Sequence, residues 1–199
     1  MENTASLPIE ENKRKLASIR MIEGLTSIEG ADKIEVAIIG GWKVVVEKGH
    51  FQAKDLCVFF EIDSLLPVSN PLFSFLGKGT KTKKMLLDGK EYEGYRLKTI
   101  KLRGQISQGL ALPVTLFKDL LTIEEVGERG ISEFEGFDVS DRLGVIKYEP
   151  PMPAELHGIA KGPFPSFLPK TDEERVQNIG DIIESLRGIV FYVTEKLDG

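Results

Sequence analysis

The chain has 199 residues, 41% of them hydrophobic and 29% charged, with a formal net charge of −5. That is the composition of a soluble globular protein, long enough for one large domain or one domain plus part of another. No apolar run approaches the ~18 residues that cross a bilayer, and the polar start Met1-Glu2-Asn3-Thr4 lacks the regions of a secretory signal. No membrane association and a cytoplasmic location are therefore expected.

Residues 1–16 read as a frayed, polar N-terminus. The segment Ala17 to Ile22 then alternates with period two, as a half-buried strand does. A turn-rich connection from Thr26 to Lys33 leads to a second strand, Ile34 to Ile39. Gly40-Gly41 turns the chain into Trp42 to Val46, a hairpin between β-branched strands. Leu56 to Ile62 reads as a fourth strand, and Pro71 to Leu76 as a short helix or apolar plug before a lysine-rich loop. Tyr95 to Arg103 alternates cleanly, with Lys101 and Arg103 on the face opposite Ile100 and Leu102. Gly104 to Pro113 is a further strand, followed by a short amphipathic helix from Val114 to Leu121.

Short strands at this spacing predict a mostly β fold with short helices, an OB-type barrel in the first instance and a plain β-sandwich as the alternative. The barrel is expected over residues 17–149, ending in an acidic, irregular surface excursion. Residues 150–170 form a Pro-rich connector. Residues 171–199 open a second domain, with a helix capped by Thr171 and Glu174 and running to about Arg187. A strand from Ile189 to Glu195 follows it.

Charge is unevenly spread. From Lys78 to Arg103 nine basic residues face three acids, a local +6, whereas Asp119 to Glu149 carries nine acids against three bases, −6. Over a Debye length of ~8 Å the local field is what a ligand meets. Lys98, Lys101 and Arg103 are the candidate phosphate contacts, being on or beside a strand, and a solvated face is the alternative reading.

Single residues carry two readings each. Cys57, alone in the chain, is either a nucleophile or a small buried hydrophobe on its strand, and no disulfide can form. Trp42 could stack on a base or fill the core. His50, His157 and Cys57 show no metal-ligand spacing. No Gly-rich P-loop, Gly-x-Ser-x-Gly or His-Glu-x-x-His occurs, which removes several common enzyme classes.

The chain ends in Thr194-Glu195-Lys196-Leu197-Asp198-Gly199. A lysine at the end of an apolar strand can point its amine into a pocket, where it attacks electrophiles once its pKa is lowered from about 10.4. Lys196-Leu197-Asp198-Gly199 resembles the first motif of the covalent nucleotidyltransferases, the DNA ligases, RNA ligases and mRNA capping enzymes. Two further blocks narrow this. Phe167 to Asn178 is similar to the segment before that motif in ATP-dependent RNA ligases with an N-terminal OB domain, and Leu102 to Leu110 resembles their late OB region.

The resemblance implies that Lys196 attacks the α-phosphorus of ATP, releasing pyrophosphate and leaving AMP on its nitrogen. The adenylate then passes to an RNA 5′-phosphate, and a 3′-hydroxyl displaces AMP to seal the strand. Asp198 would hold water around a catalytic Mg²⁺ or Mn²⁺, and Thr194, Glu195 and Lys196 would border the nucleotide. RNA, as a nicked duplex or broken ends, is the implied partner, together with a C-terminal ligase portion carrying the later motifs. The chain is expected to be a truncated or split piece, inactive alone. The alternatives are a non-catalytic OB module that holds RNA or a protein, or a barrel related to the tRNA-binding modules of translation enzymes.

Overall fold

The computed structural model describes residues 14–117, 120, 131–151, 155, 158 and 175–193. The architecture follows from one strand, β5 (Leu56–Phe60), whose side chains alternate between two cores. Val58 and Phe60 enter one, with Ile19, Leu66, Phe73, Val139 and Val145. Cys57 and Phe59 enter the other, with Ile22, Ala37, Ile39, Trp42 and Val44. An apolar run with no polar alternate is what a strand buried on both faces requires. Each large side chain so buried contributes roughly 1.5–3 kcal/mol.

Around β5 the described residues build four antiparallel sheets. β1 (Ala17–Met21) and β11 (Leu110–Pro113) flank β5. β2 (Gly24–Ser27), β3 (Ile34–Ile39) and β4 (Trp42–Glu47) form a meander. On β4, Trp42, Val44 and Val46 are buried and Lys43 and Glu47 exposed, the period-two pattern of a strand with one face on the core. β9 (Thr99–Leu102) and β10 (Gln105–Gln108) form a hairpin, tied to β4 where the Val45 N–H donates to Ser107 Oγ at 2.9 Å. The last sheet has the order β12 (Ile146–Lys147), β6 (Ser64–Pro67), β8 (Lys90–Arg96), β7 (Lys83–Leu87). A 3₁₀ helix over Pro71–Lys78, capped by the Asn70 side chain, plugs one core with Phe73. No described helix is long and apolar enough to cross a membrane.

Several expectations change. The lysine-rich loop is instead the β7–β8 hairpin, closed by Asp88-Gly89 with φ of 50° and 76°, the left-handed pair of a type I′ turn. The long strand expected from Tyr95 to Arg103 breaks at Leu97-Lys98, because Leu97 turns to bond backbone groups of Asp63 and Ser64. The strand expected from Gly104 to Pro113 divides at Gly109, where φ is +112° and a Cβ would collide with the Phe60 carbonyl oxygen. Only glycine fits there. The helix expected from Val114 is a 3₁₀ turn over Val114–Leu116. The N-terminus is anchored earlier than residue 16, since Arg14 and Leu16 are buried.

The acidic excursion returns to the barrel. Val139, Ser140 and Val145 are buried, and Ser140 Oγ accepts the Ala17 N–H at 2.9 Å. Of the helix expected over 171–187, a 3₁₀ turn Val176–Asn178 and a short α1 (Gly180–Ser185) are described, and Thr171 and Glu174 lie outside the described residues. Residues 189–193 form no strand: their apolar side chains are exposed and no neighbouring strand meets their backbone groups among the described residues.

Candidate functional site

The β9–β10 hairpin gathers the candidate phosphate contacts. Its tip is Arg103-Gly104, with φ of 49° and 81°, so Arg103 sits in the turn itself and Lys101 on the strand beside it. Lys98 immediately precedes β9. Lys98, Lys101 and Arg103 are all exposed. The alternation on β9 does not mark a buried face, because Ile100 and Leu102 are 49% and 38% exposed. Register puts Lys101 opposite Ile106 and Ile100 opposite Ser107, so each face of the hairpin carries one exposed isoleucine. The hairpin therefore projects cations and apolar groups together.

Other basic residues of the stretch are engaged elsewhere. Lys84 lies on β7, not in a loop, and pairs with Glu91 at 2.9 Å; that bond raises its pKa. Arg96 reaches Asp63 at 2.7 Å and stacks on Tyr148, 4.7 Å from the ring centroid. Lys90 sits over Tyr92. The summed charge of the stretch thus overstates what faces a ligand; Lys98, Lys101 and Arg103 remain at the hairpin, and Lys78, Lys81 and Lys83 lie on or before β7.

A second feature lies at the start of β4, where residues 175–178 dock. Trp42 Nε1 donates to Asn178 Oδ1 at 2.6 Å, and Asn178 Nδ2 donates to Glu61 Oε1. Arg20 Nη2 also reaches Asn178 Oδ1, at 3.5 Å. The other oxygen of Glu61 accepts from Arg14 Nε at 2.7 Å, with both side chains almost wholly buried. Nearby, the Gly41 N–H donates to the Gln177 carbonyl at 3.1 Å, and Arg175 Nη2 joins Asp63 Oδ2 at 3.3 Å. Asp63, at φ 67°, thus bridges Arg96 and Arg175.

Trp42 is buried against Phe59, ring centroids 5.5 Å apart, so it is a core residue with its one polar atom assigned to Asn178 and not a platform for a base. Cys57 is buried too. Desolvation pushes its thiol up to about 12, partly offset by the nearby Arg20 charge, which leaves it protonated at neutral pH and without nucleophilic character. Thr194, Glu195, Lys196 and Asp198 lie outside the described residues.

An OB-fold domain model matches residues 16–114, which hold β1 to β11. An RNA ligase of Naegleria gruberi solved with PPi has 41% sequence identity to this chain and a TM-score of 0.67, over 88% of this chain and 48% of that one. The same ligase as a lysine-to-alanine variant with ATP and Mn matches at 41% identity and TM-score 0.67, over 87% and 47%. A glutamate-to-alanine variant with AMP and Mn gives 41% identity and TM-score 0.67, over 88% and 47%. The chain resembles an ATP-dependent RNA ligase with an OB domain.

This chain spans about half the length of those ligases. Comparison with curated protein sequences gave no match. The mostly β, OB-type reading of the sequence agrees with the observed strands and with the matched domain, and the sandwich alternative falls away. Sequence reasoning missed Arg14, Glu61 and Asp63 as structural anchors. Asn178 did carry a signal, as the last residue of the block that resembles the segment before the ligase lysine.

Proposed function

We propose that this chain is the N-terminal portion of an ATP-dependent RNA ligase, with Lys196 as the residue that takes up AMP. The carrying observation is 41% identity to an RNA ligase across 88% of this chain, in relatives solved with ATP or AMP and Mn. The four residues Lys196-Leu197-Asp198-Gly199 supply the chemistry: an amine for the α-phosphorus of ATP and a carboxylate beside it. Asp198 offers the hard oxygen donor that Mg²⁺ or Mn²⁺ prefers. Such a cation, when bound, would lower the pKa of a neighbouring amine by its charge. Thr194 and Glu195 would border the adenosine. The barrel's part is to hold RNA, with Lys98, Lys101 and Arg103 on the hairpin gripping phosphates irrespective of base sequence.

The test continues residues 1–199 with the downstream half of the N. gruberi ligase and supplies labelled ATP and Mn²⁺. Covalent AMP that disappears in Lys196→Ala is the expected outcome. No label where the parent ligase labels well, or label that survives Lys196→Ala, would sink the reading.

A further inference from the structure

The docking of residues 175–178 is built from three kinds of contact that the barrel alone leaves incomplete. Trp42 Nε1–H faces out of the second core and is met by Asn178 Oδ1 at 2.6 Å. A buried indole donor left unmet costs free energy, so the barrel carries a prepared donor. Glu61, with a side chain 1% exposed, has one oxygen on Arg14 and offers the other to Asn178 Nδ2. An asparagine satisfies both, an acceptor and a donor on one rigid plane. An aspartate would set a second carboxylate against Glu61, and a leucine would meet neither.

Shape gives the third contact. A Cβ on Gly41 would lie 2.7 Å from Gln177 Cα and 3.0 Å from its carbonyl oxygen, closer than a side chain can approach backbone without displacing it. Gly41 is therefore the residue that admits the peptide, and its own N–H bonds the Gln177 carbonyl. Arg175 on Asp63 fastens the same segment at its other end. Arg14 and Asn178 meet on the two oxygens of Glu61, so segments far apart in the chain are tied to one side chain.

We propose that Asn178 is a positioning residue, the pin of a latch by which Trp42, Glu61 and Gly41 of the barrel fix the segment that leads to Lys196. Lys196 follows Asn178 by eighteen residues, so the latch sets where that stretch leaves the barrel. What the latch delivers rests on the ligase reading; the latch itself is a property of residues 14–178 and needs neither nucleotide nor RNA to be measured.

Trp42 is the only tryptophan, so an isotope-labelled chain shows a single indole N–H resonance. In the wild type that proton should be shifted downfield and exchange slowly. Asn178→Ala should make it exchange about tenfold faster, and the Gly41 amide should lose protection with it. Gly41→Ala, which removes no polar group, should free the indole in the same way. Val58 and Ala111 amides, in the β5–β11 pairing, should keep their protection in both variants.

Asn178→Asp gives a pH signature. Among the described residues, Glu61, Arg14 and Arg20 bring charge to position 178. Arg14 already holds the other Glu61 oxygen, and Arg20 favours ionisation of the introduced carboxyl group. Two carboxylates in that contact still hold a proton between them more tightly than either alone. Loss of that shared proton should open the latch, so indole protection in Asn178→Asp, relative to the wild type at the same pH, should fall as pH rises. A merely structural asparagine would give no such profile. Indole exchange unchanged in both Asn178→Ala and Gly41→Ala, or varying with pH in Asn178→Asp no differently from the wild type, would overturn the latch. A working latch with no Lys196-dependent AMP would instead remove the ligase reading and leave the latch standing.

Discussion

Arg14 Nε and Glu61 Oε2 lie 2.7 Å apart, with side chains 4% and 1% exposed, and Arg14 Nη2 also donates to the Ile62 carbonyl at 2.7 Å. A charge pair this deep stabilises only as a pair, because each ion has given up its water. Arg14→Ala should destabilise the chain by about 3–5 kcal/mol by stranding the Glu61 charge. Denaturant unfolding measures this, and a midpoint within error of the wild type would show that Glu61 finds another partner.

On the hairpin, Lys101→Ala with Arg103→Ala should weaken duplex RNA binding and flatten its salt dependence. Each phosphate left without its cation takes about 0.9 from the slope of log affinity against log salt, so a change of roughly 1.8 is expected. Lys84→Ala should have a smaller effect, since Lys84 is held by Glu91. Equal binding by wild type and double variant across the series would leave the hairpin a solvated face.

Cys57 makes the stability fall with alkali. Its folded pKa is about 12 against an ordinary 9.0, so the unfolded chain loses the thiol proton first as pH rises. The stabilising contribution is whole below pH 9 and is lost as pH climbs toward 12. Cys57→Val should remove this component of the alkaline loss. Native Cys57 should also resist alkylation at neutral pH until denaturant is added, and rapid labelling of the folded chain would contradict its burial.

On the ligase reading, residues 1–199 alone should join no RNA ends, because their match covers 48% of the similar ligase. A gel assay with nicked duplex, ATP and Mn²⁺ is the check. Sealed product from the purified chain would show that the later half of such a ligase is dispensable.

Hydrogen exchange should separate two levels of order. Amides of β5, paired on both sides by β1 and β11, should be the slowest. Amides from Val190 to Val193, without sheet partners among the described residues and with Tyr192 97% exposed, should exchange at once. Uniform protection across both would mean that 190–193 pairs with a strand in solution.

Local patterns in the sequence determined the strands that pack against the core: the alternation of Ala17 to Ile22, the Gly40-Gly41 turn and the apolar run of β5 each depend on neighbours a few residues away. Asp88-Gly89 was equally legible as a hairpin turn, but the lysines around it read as a loop, since β7 is an edge strand and needs few apolar residues. The resemblance of the Lys196 block was legible because it is a contiguous string. What only the tertiary structure decided was partnership. Arg14, Glu61, Trp42 and Asn178 are spread over the length of the chain, and no local pattern marks a charge or an amide for burial. The exposure of Ile100 and Leu102 was decided in the same way, because alternation shows that two faces differ, while packing alone settles whether either is covered.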